Sequence, residues 1–477
     1  MYLGLDLGTS GLKGLVIDDD QNIVAETNAP LKVSRPKTGW SEQAPADWIS
    51  AAEKVMDALA AQGALSGVTG IGLSGQMHGA TLLDRSDEVL RPCILWNDTR
   101  SAVEAADMDA DPDWRKISGN IVFPGFTAPK LAWVAKHEPT IFGRIAKVLL
   151  PKDYLRLWLT GDHVSEMSDA AGTSWLDTGA RDWSDTLLAK SSLGRGHMPT
   201  LVEGSEVSGK LRKELAERWG MNGAVVAGGA GDNAASAIGM GVVRAGQAFV
   251  SLGTSGVLFA ANDGYRPDPE TAVHTFCHAL PGTWHQMGVI LAATDALNWY
   301  AGLIGDTTEG LTASLGGLQA PGRAVFLPYL GGERTPLNSG SVRGGFLGLE
   351  HATDRTAGTR AVLEGVAFAF ADCRDALAAT GTQMDSVVAV GGGSRSDYWL
   401  SAISTALNIP ISVPKDGDFG AAFGAARLGM MAAGGNADLA KPPKIDRIIE
   451  PDPALVTAFA EGHARYKQAA QFLKDFT

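Results

Sequence analysis

The chain opens on a two-residue rhythm. In MYLGLDLGTSGLKGLVIDDDQNIVAE, Leu3, Leu5 and Leu7 alternate with Gly4 and Asp6, a Gly/Thr/Ser cluster interrupts, apolar residues resume at Leu12, and a second break falls at DDDQN. This pattern predicts two adjacent strands joined by a glycine-rich hairpin, followed by a third strand. The period then changes. Trp48, Ala52, Val55, Met56 and Leu59 fall at helical spacing behind Asp47, which predicts a helix with an acid near its start. GVTGIGLSGQ returns to a short buried strand that ends in glycine.

The alternation restarts near the midpoint. QAFVSLGTSGVLFAAN reads as strand, turn and strand; AVLEGVAFAFADCRDALAAT as a long helix; and DSVVAVGGGSRSDYWLSAISTAL as strand, glycine turn and helix. The two hairpins carry almost the same six residues, DLGTSG at Asp6–Gly11 and SLGTSG at Ser251–Gly256. A repeat at half-chain spacing predicts a duplicated α/β unit, with domains at 1–240 and 241–477. AAGGNADLAKPPKIDR reads as a surface loop, and Asp452 and Pro453 predict the N-cap and first position of a C-terminal packing helix.

Composition narrows the class. A chain of 477 residues that is 45% hydrophobic and 19% charged is long enough for two cores. A net charge of -13 with no Lys/Arg-rich block argues against nucleic acid or an anionic membrane as partner. Three cysteines without a Cys-x-x-Cys spacing argue against a disulfide framework or a zinc site and for a reducing, cytoplasmic compartment. Neither a signal segment nor a membrane span is expected.

The chemistry concentrates at glycine turns. A turn of Gly, Thr and Ser leaves backbone N–H groups facing one concavity that a phosphate can enter. Thr9, Ser10, Gly253 and Thr254 are therefore candidate phosphate contacts, and Lys13 is a point charge within reach. One copy alone could be an ordinary hairpin; the repeat favours a phosphate cradle. Asp6 heads the first copy and Ser251 the second, so the first alone offers a carboxylate for Mg²⁺. In AVVAGGAGDNAASAIG, Gly229, Gly231 and Ala234 satisfy G-x-G-x-x-A, but Asp232 would repel a pyrophosphate and no acid follows between 233 and 262 to hold a ribose. An NAD-dependent oxidoreductase is disfavoured. Asp232, ending an apolar strand and opening a small-residue helix, fits a base presented to a ligand, with a plain helix N-cap as the structural alternative. Gly391, Gly392 and Ser394 form a turn on which a nucleoside could lie. Met77, His78, Trp96 and Asp98 combine an apolar contact, an imidazole, an indole and a carboxylate, a mixture suited to a polyhydroxylated ligand.

DLGTSGLK, SLGTSG, GGAGDNAA and GGGSRSDYW together resemble the FGGY sugar kinases of the actin/hexokinase/Hsp70 superfamily. GFTAPKLAWVAKH, at Gly125 to His137, and GGFLGLEHATDRTAGTRAVLEG resemble signature segments of that family. SGQMHGATLLD, LRPCILWNDTR, LLPKDYLRL, MSDAAGTSWLD and FLPYLGGERTPLN most resemble the members that act on D-xylulose, and the likeness runs from the N-terminus to about residue 430. The resemblance implies two homologous ribonuclease-H-like (actin-like ATPase) domains with an interdomain cleft, ATP and Mg²⁺ as cofactors, and phosphorylation of the sugar 5-hydroxyl. It implies Asp232 as general base, Asp6 and Asp232 at the metal, and Met77 and His78 on the sugar with Trp96 and Asp98 lining its pocket. It also implies Thr9, Ser10, Lys13, Gly253 and Thr254 on the phosphates, with Gly391, Gly392 and Ser394 near the nucleoside. By analogy a homodimer is possible. A family member acting on another ketose, polyol or sugar acid is the alternative; a non-enzymatic ATP-driven binder is disfavoured because no extra domain is left over.

Overall fold

Each sheet grows outward from one of the two hairpins. The computed structural model describes residues 1–415 and 420–476. The first sheet contains β1 (Tyr2–Leu7), β2 (Gly11–Ile17), β3 (Ile23–Pro30), β4 (Gly70–Gly75), β5 (Val207–Lys210), β6 (Val225–Ala227) and the short β7 (Ala230–Gly231). The second contains β8 (Gly246–Leu252), β9 (Gly256–Asn262), β10 (His274–Cys277), β11 (Trp284–Ile290), β12 (Met384–Val390), β13 (Ile411–Pro414) and β14 (Ile445–Ile449). The principal helices are α1 (Pro45–Ala61), α2 (Thr127–His137), α3 (Pro151–Thr160), α4 (Asp232–Met240), α5 (Thr294–Ile304), α6 (Arg355–Ala379), α7 (Asp397–Leu407), α8 (Ala421–Ala432) and α9 (Val456–Phe476).

The duplication is visible in strand order. The first sheet runs β3-β2-β1-β4-β6-β5, and the second repeats it as β11-β9-β8-β12-β13-β14, with β10 added beyond β11. In both, the hairpin strands are antiparallel and the strand beside the first of them is parallel to it. The two sheets share the connectivity of one ancestral unit.

The Leu/Gly rhythm of β1 has a packing cause. Leu3, Leu5 and Leu7 enter one core with Trp48, Ala52, Val55, Met56 and Leu59 of α1. The glycines face α8: a Cβ on Gly4 would stand 1.9 Å from the Ala422 carbonyl oxygen, and one on Gly72 1.7 Å from that of Ala425. Glycine therefore serves here to let a helix backbone lie against a sheet as well as to make turns.

Two compact units result. The first comprises Met1–Val243, Phe276–Trp284 and Asp418–Pro442; the second comprises Arg244–Thr275, His285–Gly417 and Pro443–Thr477. The chain leaves the first unit after Val243 and re-enters it twice; the second return brings α8 onto the glycine-lined face of the first sheet. The second unit has its own core, in which Val250, Leu258, Val366, Phe370, Val387 and Ile403 are buried together.

At the C-terminus α9 starts at Val456, later than Asp452 and Pro453 suggested, and Asp452 instead holds the turn that leads into it. Its Oδ1 accepts from Ala454 N, and its carbonyl accepts from Leu455 N and Val456 N. The expected loop before it is interrupted by a short 3₁₀ turn at Ala437–Leu439 and ends in β14. Among the described residues no helix is long and apolar enough to cross a membrane.

Candidate functional site

Asp232 is placed by a broken strand. β6 pairs with β4 at Gly70 and Ile71, the chain bends through Gly228 and Gly229, and β7 resumes beside Ser74 and Gly75 of the same strand. Gly229 has φ +75°, and a Cβ there would lie 2.2 Å from the Leu73 carbonyl oxygen, so the bend requires glycine. Asp232 is then the first residue of α4, with Gly231 as the N-cap. The plain N-cap alternative is thus not the observed geometry. Oδ1 accepts from Asn233 N at 2.7 Å and from Asn233 Nδ2 at 2.9 Å.

Asp6 belongs to the same end of the sheet. Asp6 of β1 and Ala230 of β7 both pair with Ser74 of β4, one on either side. Burial, then the Asp6 charge, push the Asp232 carboxyl up to about 6, against the lowering effect of the Asn233 hydrogen bonds. The side chain nevertheless remains partly accessible. Lys13, opposite Asp6 in register, sits 3.2 Å from Glu26. Its charge is thus shared with a neighbouring strand.

The QMHG segment follows β4. Met77 is buried against Gly231, where an added Cβ would come within 2.9 Å of its Sδ. His78 has φ +68°, uncommon for a side-chain-bearing residue. Its Nδ1 lies 2.7 Å from the Gly172 carbonyl oxygen. A carbonyl can only accept, so Nδ1 carries the proton; in the neutral ring Nε2 is then the acceptor, the complement of a sugar hydroxyl. Its ring stacks on Phe126 with centroids 4.5 Å apart.

Trp96 is 49% exposed, unlike a core tryptophan, and donates through Nε1 to Thr9 Oγ1 at 3.0 Å. Thr9 Oγ1 in turn donates to Gln76 Oε1 at 3.1 Å, and Gln43 Nε2 donates to the Thr9 carbonyl at 2.8 Å. The Thr9 hydroxyl proton is therefore committed, and the residue has its backbone to offer an anion. Ser10 is exposed at the turn. Asp98 is buried and accepts from Ser41 N and from the backbone N, Nε and Nη2 of Arg100. Four donors occupy its two oxygens, so it fixes the loop that carries Trp96.

In the second unit, the Gly253 carbonyl accepts from Thr294 N at 2.9 Å and Thr294 Oγ1 at 2.8 Å, while the Thr254 carbonyl accepts from Ala293 N at 2.8 Å. The second LGTSG turn is thereby pinned to the start of α5. Ser394 Oγ donates to the Gly391 carbonyl at 2.6 Å, closing the glycine turn after β12. Beside it lies a cavity of about 700 Å³ lined by Gly392, Gly393, Asn298, Glu309 and Tyr398, among others, and by the same Thr294 that holds the hairpin. Volume and position suit a nucleoside.

Sequence reasoning missed the support beneath Asp232. Lys152, Asp153, Arg156, Glu166 and Asp169 are all fully buried. Lys152 Nζ lies 2.9 Å from Asp153 Oδ1 and 3.4 Å from carboxylate oxygens of both Glu166 and Asp169. Arg156 donates to the carbonyls of Ala227 at 2.7 Å and Gly228 at 2.6 Å, one end of the bend. At the other end, Gly231 N donates to Ser168 Oγ at 3.1 Å, and Glu166 accepts from Ser168 Oγ and from the backbone N of Ser168 and Asp169. Burial, reinforced by Asp153, Glu166 and Asp232 and opposed by Lys152, pushes Asp169 well above the usual carboxylate range. Lys152 and Arg156 thus lie among three acidic side chains, of which Asp169 is pushed toward its neutral form. The available signal was a run of charges in LLPKDYLRL at positions that helical spacing assigns to the core.

Comparison with known proteins identifies the family. Residues 1–239 match the N-terminal domain, and residues 248–433 the C-terminal domain, of the FGGY family of carbohydrate kinases. A xylulose kinase of Escherichia coli is 50% identical over 436 residues, covering 91% of this chain and 90% of that protein. The crystal structure of a xylulose kinase from Brucella ovis superposes with a TM-score of 0.99 at 63% identity, covering 100% of both chains. A gluconate kinase from Lactobacillus acidophilus has a TM-score of 0.93 at 24% identity, covering 100% of this chain and 99% of that one, so the fold by itself does not select the sugar. The two matched sheets, the paired LGTSG turns and the family matches over both halves converge on one statement: this chain belongs to the FGGY family of carbohydrate kinases.

Proposed function

We propose that the protein transfers the γ-phosphoryl group of ATP to the 5-hydroxyl of D-xylulose, giving D-xylulose 5-phosphate and ADP. The observation that carries the chemistry is Asp232: an accessible carboxyl at the end of a broken strand, raised to about 6 by burial and by Asp6. The substrate is supported by similarity to xylulose kinases across nearly their whole length. A ketose, polyol or sugar acid of another kind is the alternative.

In this mechanism the sugar rests on Met77, with a hydroxyl donating to His78 Nε2 and the Trp96 indole against its C–H face. Asp98 acts by holding the Trp96 loop. Asp232 accepts the proton of the 5-hydroxyl as the O–P bond forms and the bond from the γ-phosphorus to the β,γ-bridging oxygen breaks. In a loose transition state the proton moves late, so orientation of the hydroxyl matters as much as basicity. Backbone N–H groups at Thr9, Ser10, Gly253 and Thr254 receive phosphate oxygens, Lys13 adds positive charge, and Gly391, Gly392 and Ser394 border the nucleoside.

Asp6 and Asp232 are the carboxylates that would hold Mg²⁺. The Asp6 charge opposes ionisation of Asp232, and a divalent cation reverses the sign of that interaction. When bound, the ion neutralises charge on the phosphate oxygens. Three buried free cysteines fit a reducing, cytoplasmic setting; a homodimer rests on analogy and is checked by sedimentation.

The test is Mg²⁺-dependent ADP release with D-xylulose, D-ribulose, L-ribulose, D-gluconate, glycerol or no sugar. A strong preference for D-xylulose is expected. Preference for another compound overturns the substrate, and sugar-independent turnover overturns the kinase mechanism. A second expectation concerns pH. Since kcat/KM reports the free enzyme, its logarithm should be flat above neutrality and fall with unit slope below about pH 6, as Asp232 takes up a proton. In Asp6→Asn that break should move to lower pH, because the repelling charge is gone. An unchanged break in Asp6→Asn would assign the titration to another group.

A further inference from the structure

The segment GFTAPKL, singled out above by its resemblance to a family signature, has no part in the mechanism just described, yet four of its residues converge on the sugar loop. Lys130, on the first turns of α2, is completely buried. Burying a cation is costly unless it is well partnered. Lys130 Nζ donates to the His78 carbonyl at 2.6 Å and to the Gly125 carbonyl at 2.7 Å. Thr127 Oγ1 donates to the same His78 carbonyl at 3.2 Å. Phe126 stacks on the His78 ring, and Gly125 lies so near the Trp96 loop that a Cβ would come within 2.3 Å of the Trp96 carbonyl oxygen.

His78 also needs holding. Its φ of +68° is a backbone state that persists when the surroundings over-determine it, and three of the contacts that do so come from this segment. Burial pushes the Lys130 pKa down to about 7, with Cys93 and Asp98 resisting the shift and Arg100 adding to it. The ammonium is thus set in an environment that disfavours its charge, and the two loop carbonyls are its hydrogen-bond acceptors.

Resting on the assignment of His78 to the sugar site, we propose that Lys130 is a positioning residue: its buried ammonium ties the carbonyls of His78 and Gly125 together, and so presents the His78 ring and the Trp96 loop to the sugar. Lys130 touches neither substrate. It acts on sugar affinity through His78 and leaves the nucleotide contacts alone.

The experiment is steady-state kinetics with sugar and ATP varied separately, on Lys130→Met, Thr127→Val and His78→Asn, the last chosen because Asn tolerates the same backbone, and on the double variants with His78→Asn. Loss of a charged hydrogen bond predicts a KM for D-xylulose raised about ten- to a hundredfold in Lys130→Met, and a smaller rise in Thr127→Val, with KM for ATP nearly unchanged. In the His78→Asn background both substitutions should add little, since the residue they act through is already altered. Effects that multiply in the double variants, or a parallel rise in both KM values, would overturn the proposal while leaving His78 at the sugar site. His78→Asn with a normal sugar KM would overturn that assignment and the proposal with it. If Lys130→Met does not fold, the Thr127→Val cycle decides alone.

Discussion

Asp232→Asn should lower kcat by about a thousandfold, within the range for loss of a general base, while sugar binding measured by calorimetry changes only a few-fold. Asn keeps the size and a hydrogen-bonding oxygen but cannot accept the proton. Its second expected signature is in stability. The folded carboxyl titrates near 6, above its ordinary value of 3.8, so the folded state binds the proton more tightly than the unfolded state. The ionised group therefore costs stability, from nothing below about pH 4 to its full extent above about pH 6. Asp232→Asn should accordingly raise the thermal midpoint at pH 7.5 and leave it unchanged at pH 4. A variant that is inactive and also less stable at pH 7.5 would mean that Asp232 is a structural residue.

Lys152→Met should destabilise the first unit by about 3–5 kcal/mol, the usual cost of removing one partner from a buried ionic group. Lys152 is fully buried among Asp153, Glu166 and Asp169. Without it, Arg156 alone faces the remaining carboxylates. Asp169→Asn should be far milder, within about 1 kcal/mol as for a substitution that disturbs no charge, because burial and the neighbouring carboxylates push Asp169 toward its neutral form. Urea unfolding of both variants at pH 7.5 separates the two. Equal losses would mean that Asp169 is ionised in the folded protein. Since the cluster grips both ends of the bend before Asp232, the folded fraction of Lys152→Met should also turn over more slowly.

The repeat and the Asp232 segment were legible because their signals are local. Alternating residues fix strands, a Gly/Thr/Ser break fixes a hairpin, and DLGTSG against SLGTSG reveals duplication without any tertiary contact. The apolar strand and small-residue helix that meet at Asp232 follow from AVVAGGAGDNAASAIG in the same way, while the bend at Gly228 and Gly229 came from the structure. Lys130 and the Lys152 cluster were hidden because a charged residue in a helix normally points to water. Only packing shows that these point inward, Lys130 to the carbonyls of His78 and Gly125 and Lys152 to the carboxylates of Asp153, Glu166 and Asp169. Asp98 and Lys13 illustrate the converse. Their types suit a sugar and a phosphate, but Ser41 N and Arg100 occupy the Asp98 oxygens, and Lys13 shares its charge with Glu26 on the next strand.

The sequence by itself determined the element pattern, the twofold plan, the family and the identity of the candidate base, since each is written in residue type and short-range spacing. The tertiary structure decided which polar groups are available to a ligand, how α8 returns to cover the first sheet, and what holds His78 and Asp232 in place. Those properties depend on partners distant in the chain, and close packing and hydrogen-bond satisfaction select such partners only once the core has formed.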